Sequence, residues 1–320
     1  MSADSATLQT ASNYVSTTGR YGRWAFTPVT DGALIRERPS RQLLGGGRLN
    51  GIRVLSSNTA NEGPLFVPHD ITDEVSFQAW LRSNYPLLTG QNVSTILEAY
   101  APPEGASGIL ADSDGRGAPF STTNSQFAAG WQQAAFNLYA EATFICPSYW
   151  LADTFARVQD GQSWHLQYSV SPGLHGDDMG AVAAMPDASA VGTSTALRTA
   201  LQQIWGNFIV HGDPTLTACQ VGAAEGGDVT AAGRLAWKPW GGKAGQNLML
   251  NVNMTGGVPV ATFSTAVPGV RLPVTKYMSG NDSSALPVDA AFEIVEGSAW
   301  EGGRGERCRL WASLGPWIME

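Results

Sequence analysis

Hydrophobic and polar residues alternate most cleanly over 164–170, and that period of two predicts a strand. Ser171-Pro172-Gly173 breaks the run and opens a loop through Leu174-His175-Gly176-Asp177-Asp178. A second short strand is predicted at 52–56, where β-branched residues cluster, and it ends in a polar turn over 58–63 with Glu62 at its tip. Residues 247–252 read as a strand or an edge segment.

Helical spacing dominates elsewhere. Phe77, Trp80 and Leu81 share one face of a helix capped at Thr72 or Asp73 and stopped by Pro86. Shorter helices are predicted at 39–44, stopped by Gly45-Gly46-Gly47, and at 93–100, ended by Pro102-Pro103. A longer one over 123–144 carries the stripe Phe127, Trp131, Ala134, Ala135, Leu138. Cys146-Pro147 is expected to break it before helix resumes over 149–158. Two more are expected at 194–210 and 305–318, the last with Cys308, Leu310, Trp311 and Leu314 at helical spacing. Residues 1–20 show no periodicity, 24–32 form an apolar patch closed by a turn, and 101–119 and 220–233 read as loops. The stretch 255–293 is rich in Gly, Pro and Ser and carries little signal, and no internal repeat is visible.

Composition narrows the partners. The 320 residues are long enough to bury a sizeable core, and 43 % hydrophobic against 14 % charged residues describes a globular chain. A net charge of −8 without a basic cluster argues against nucleic acid and anionic membranes. No apolar run reaches the roughly 18 residues of a spanning helix, and the start has neither the basic nor the apolar region of a signal peptide. Cys146, Cys219 and Cys308 are too scattered for a zinc site but allow one disulfide and one free thiol. Sequons at Asn92, Asn253 and Asn281 fit a secretory history, which the start of the chain does not. Asp112-Ser113-Asp114-Gly115 lacks the further ligands of a calcium loop and reads as a turn. His69, His165 and His211 have no partner at metal-ligand spacing and read as structural or solvent-facing; no cofactor motif occurs.

One pairing carries chemistry. An imidazole near its ordinary pKa is a natural proton shuttle, and as a general base it needs a carboxylate to hold its tautomer. His175 and Glu62 each lie on a loop after a predicted strand, with the acid before the histidine, the chain order of the α/β-hydrolases.

Several segments in order extend this into a family resemblance. Phe26-Thr27-Pro28-Val29-Thr30-Asp31-Gly32 is similar to an F-x-P-V-x-D-G segment, and Asn61-Glu62-Gly63 to an acid motif with its E-G pair. Cys146-Pro147-Ser148-Tyr149 resembles C-P-x-Y, and His175-Gly176-Asp177-Asp178 resembles H-G-x-D. Trp205-Gly206-Asn207-Phe208 through Gly212-Asp213-Pro214, Trp237-Lys238-Pro239-Trp240 and Cys308-Arg309-Leu310-Trp311 complete the set. Together they resemble the type-B carboxylesterases and fungal lipases related to cholinesterases.

The resemblance implies an α/β fold: a single partial domain over 1–320, the C-terminal portion of an α/β-hydrolase, with an incomplete, mostly parallel sheet flanked by helices. It implies hydrolysis of a carboxylic ester or lipid-like small molecule through an acyl-enzyme. His175 would be the general base and Glu62 its orienting carboxylate. The match also makes Cys146 and Cys308 the candidates for a disulfide. No G-x-S-x-G nucleophile elbow occurs; Gly192-Thr193-Ser194-Thr195-Ala196 comes nearest, and Ser194 reads as a helix N-cap. Gly45-Gly46-Gly47 reads as a helix stop rather than an oxyanion hole. Gly180-Ala181-Val182 stands where the family continues with aromatics. The expectation is therefore that a secretion signal and the nucleophile belong to an absent N-terminal half, or, if Met1 is the genuine start, that the chain is cytoplasmic. The competing expectation is a non-catalytic interaction protein or an inactive truncated paralogue.

Overall fold

The computed structural model describes residues 3–19, 21–22, 25–46, 49–105, 120–158, 160–183, 194–217, 235, 237–241, 246–267, 269–278 and 288–318. Its centre is a four-stranded mixed sheet built from β1 (Arg53–Thr59), β2 (Gln162–Tyr168), β3 (Leu248–Thr255) and β6 (Asp289–Glu296), in the order β1-β2-β3-β6. The first two pairings are parallel and the last antiparallel. A separate hairpin, β4 (Val258–Ser264) with β5 (Leu272–Met278), is inserted between β3 and β6.

Helices cover both faces, as a parallel sheet requires. On one side α6 (Cys146–Arg157) packs on β1 and β2. Behind it lie α3 (Glu74–Asn84), α4 (Gly90–Tyr100), α5 (Gly130–Ala140) and α9 (Trp300–Leu314). On the other side α7 (Asp177–Val182) and α8 (Thr195–His211) cover Trp164, Leu166 and Tyr168 of β2, with Leu197, Leu201 and Ile204 supplied by α8. Side-chain alternation along β2 therefore separates an apolar face from a polar one. The polar face carries Ser163, His165 and Gln167, all buried.

The helix signals at α2 (Pro39–Leu44), α3 and α8 match the expected positions for identifiable reasons. Gly45 N–H bonds back to Arg41 O, Asp73 and Ser76 form a capping box, and the Ser194 hydroxyl caps α8 through Leu197 N–H. Cys146 and Cys308 are joined in a disulfide that ties α6 to α9.

Elsewhere the structure departs from the expected elements. Residues 5–18 form a helix, α1 (Ser5–Thr18), capped by Asp4 accepting from Thr7 N–H; none of its residues is buried, so it left no apolar stripe in the sequence. The expected 123–144 helix starts only at Gly130, after turns. At its far end the backbone runs through a π-turn, Glu141–Ile145, directly into α6, without the break expected at Cys146-Pro147. Pro147 lies in the first turn of α6, directly after the π-turn. The low-signal stretch 255–293 holds β4, β5 and the start of β6; Pro259 and Pro273 lie inside the hairpin strands and hide their pattern. Of the two readings of 247–252, the strand holds, as β3, which lies between β2 and β6 rather than at an edge. The terminal helix begins at Trp300, but Glu301, Gly302 and Gly303 have positive φ, so regular helix starts at Arg304, close to the expected Gly305.

No helix among the described residues is long and apolar enough to cross a membrane. The turn expected at 112–115, the loop at 220–233, Cys219 and Asn281 lie outside the described residues. Asn92 takes part in the cap of α4, and Asn253 sits in β3, paired with Ala291.

Candidate active site

The parallel register of β1 and β2, Thr59 opposite Tyr168, brings the loops after both strands to the same end of the sheet. That is where open α/β sheets place their ligands. The two loops are then stitched together. Asn61 N–H donates to Gly173 O at 2.8 Å and Asn61 Nδ2 donates to Pro172 O at 2.9 Å, which extends the pairing to a bridge between Asn61 and Leu174.

Each loop has a local reason to hold its side chain. After β1 the chain folds back so that Thr59 N–H donates to Glu62 Oε1 at 2.7 Å. Gly63 then passes so close to α5 that a Cβ would meet Phe136 O at 2.0 Å, so the tight turn depends on glycine. In the second loop Leu174 N–H donates to Asp177 Oδ2 at 2.8 Å, and Gly176 takes a φ of 87° to enter α7.

His175 Nδ1 lies 2.5 Å from Glu62 Oε2. With the carboxylate ionised, Nδ1–H donates, leaving Nε2 for a reacting group. Burial is asymmetric: the Glu62 side chain is 5 % exposed and that of His175 40 %. The hydrogen bond to Glu62 raises the His175 pKa above its ordinary value, burial opposes this, and the charges of Glu62 and Asp178 add to the rise. Burial pushes Asp177 up to about 6 and raises Asp178 as well, with carboxylate neighbours adding to both. Two aromatics wall the imidazole: Phe144 with ring centroids 4.6 Å apart, and Phe66 edge-on at 5.1 Å.

The structure thus brings together Glu62 and His175, the two residues singled out from the sequence. Phe66, Phe144 and the turn-fixing Asp177 were not foreseen as part of the site. Gly180 and Ala181 are buried in α7, and Phe66 and Phe144 provide aromatic walls from other elements. His165 is fully buried and structural. His69 Nε2 pairs with Pro64 O at 2.8 Å, and His211 closes α8. Among the described residues no group of three or more His, Cys, Asp or Glu could hold a metal ion.

No protein-family model matches the chain. The chain is 29 % identical to carboxylesterase patB of Aspergillus clavatus over 214 residues, 64 % of this chain and 33 % of that protein. It is 25 % identical to carboxylesterase patB of Penicillium expansum over 200 residues, 61 % of this chain and 31 % of that protein. Among solved structures it resembles Aspergillus niger EstA with a TM-score of 0.58 and 19 % identity, covering 92 % of this chain and 46 % of that one. The chain therefore spans about a third of the curated relatives it matches and less than half of the solved esterase. The sheet, its flanking helices and this likeness fit an α/β-hydrolase-like fold.

Proposed function

We propose that this chain supplies the acid and the histidine of a carboxylic ester hydrolase that works through an acyl-enzyme. The observation that carries the reading is the 2.5 Å contact between His175 Nδ1 and Glu62 Oε2, after the carboxyl ends of two adjacent parallel strands. An imidazole held in this way takes the proton of an attacking hydroxyl on Nε2 and returns it to the leaving alkoxide. Glu62 keeps the tautomer and stabilises the imidazolium. The carboxylesterase relatives support ester hydrolysis and a small-molecule ester substrate.

The 320 residues contain no G-x-S-x-G, and Ser194, the nearest approach, is occupied as the N-cap of α8. In this reading the nucleophile and its oxyanion donors come from another segment or polypeptide, and residues 1–320 act as one partial domain. An extracellular setting accords with the Cys146–Cys308 bridge.

The chain alone is expected to hydrolyse short p-nitrophenyl esters no faster than buffer. Joined to the G-x-S-x-G-bearing half of a related esterase it is expected to turn over. His175→Ala then lowers kcat by roughly 10⁴-fold or more. Turnover that survives His175→Ala, in either form, sinks the proposal.

A further inference from the structure

Glu141 is wholly buried, three residues before Phe144, and is gripped from several sides. Arg307 donates to both carboxylate oxygens, Nη2 to Oε1 at 2.7 Å and Nε to Oε2 at 2.8 Å, and Arg304 Nε approaches Oε1 at 3.4 Å. Tyr100 OH donates to Oε2 at 2.6 Å and itself accepts from Trp311 Nε1 at 2.8 Å. Burial works against the charge on Glu141, yet the arginines, Arg307 foremost, hold its carboxyl below the usual range. Arg304 Nη1 also donates to Gln167 Oε1 at 2.6 Å, which fastens the cluster to β2 just before the His175 loop.

A buried ion cluster of this kind is a weak device for stability, since well-packed apolar residues often serve as well. Its location points to another use. Glu141 opens the π-turn, and its own carbonyl accepts the Cys146 N–H that closes the wide turn. Such turns interrupt the helical ladder and recur at functional sites. The turn delivers Phe144 to the imidazole, 4.6 Å away, while Phe66 arrives from the acid loop and also touches Phe144 at 5.3 Å and Tyr139 at 5.7 Å. The ring of His175 therefore packs against a pair of touching aromatics, one from the acid loop and one from the π-turn.

We infer that Glu141, clamped by Arg304 and Arg307, is a positioning residue for His175: it fixes the π-turn, and through it the Phe144 ring that keeps Nδ1 on Glu62. The inference rests on the Glu62–His175 reading above and adds a remote support to it.

The test is ¹⁵N-histidine NMR on the full chain, following the His175 Nδ1 proton and the titration of the ring. The parent protein is expected to show a low-field, exchange-protected Nδ1 proton and a midpoint above the ordinary value of about 6.5. In Phe144→Leu that proton exchanges at least about tenfold faster and the midpoint falls toward 6.5. Arg307→Lys keeps the charge but loses the two-pronged grip, and it moves both readouts the same way by less. Leu201→Ala, on the opposite face of the sheet, lowers stability and leaves both unchanged. Glu141→Gln, which keeps the shape and loses the charge, takes the place of Arg307→Lys if that variant does not fold, and parent-like His175 signals in the folded variant overturn the inference. A Phe144→Leu protein with the parent's His175 signals overturns the inference and leaves the dyad standing. Absence of any protected Nδ1 proton in the parent overturns the dyad reading and this inference with it.

Discussion

β2 and the loop that follows it carry two imidazoles in opposite circumstances. His165, inside the strand, is wholly buried between neutral partners. Asn58 donates its amide to Thr59 O and Gln167 Oε1, so its Oδ1 accepts from His165 Nε2–H at 2.9 Å. Nδ1 then accepts from the Ser56 hydroxyl at 2.9 Å. Burial, followed by the charge of Arg304, lowers the His165 pKa to about 3. His175 has a carboxylate on one nitrogen and exposure on the other, and its pKa moves up. A Ser–His–Asn arrangement sealed in the sheet is therefore scaffolding, whereas a Glu–His pair on the loops is equipped for proton transfer. Hydrogen-bond partners alone do not separate the two; the charge of the partner and access to the ring do.

The difference predicts unequal costs. His165→Ala strands Asn58 Oδ1 inside the sheet, leaves the Ser56 hydroxyl only its longer bond to Ser148 O at 3.2 Å, and opens a cavity beneath Tyr149 and Trp240, whose rings pack on the imidazole. A loss of about 3–5 kcal/mol is expected in urea unfolding. A loss below about 1 kcal/mol would mean that water reaches this face and that the contrast is false.

The comparison also shows what a sequence can reveal. Glu62 and His175 were legible because turn residues after two predicted strands mark loop positions, and the family resemblance singled out the same pair. His165 has no partner at metal-ligand spacing in the sequence, and Ser56 and Asn58 become its neighbours only through the β1–β2 register. Phe144 was hidden more deeply. A π-turn adds a residue to one turn, so extending the helical stripe past Ala140 gives the wrong face for Phe144. The β4–β5 hairpin went unseen because its strands pair only with each other and contain proline, and α1 because it buries nothing.

An intermediate effect lies in the pH dependence of stability. His165 has a folded pKa of about 3 against an unfolded value near 6.5. Between these values the unfolded chain binds the extra proton, so stability rises with pH. Asp177 has a folded pKa of about 6 against 3.8. Between those values the folded chain binds the extra proton, so stability falls with pH. From about pH 4 to 6 the two slopes, each up to about 1.4 kcal/mol per pH unit, oppose one another. Asp177→Asn removes one of them, and the variant should lose stability more steeply on acidification through that window, followed by denaturant midpoints at successive pH values. An unchanged slope would show that Asp177 is not raised.

The smallest effect is expected where the chemistry is proposed. His175→Ala removes a partner from Glu62, a nearly buried carboxylate, and a large penalty would follow if the vacated space stayed dry. Two features argue against that. Thr59 N–H still donates to Oε1, and the 40 % exposure of the imidazole means that its removal admits water to Oε2. The Phe66–Phe144 contact does not involve the imidazole and keeps the wall in place. Unfolding stability near pH 7 is therefore expected to change by no more than about 1 kcal/mol, well below the cost at His165. A loss of about 3 kcal/mol or more would show that His175 holds the two loops together, a structural role like that of His165.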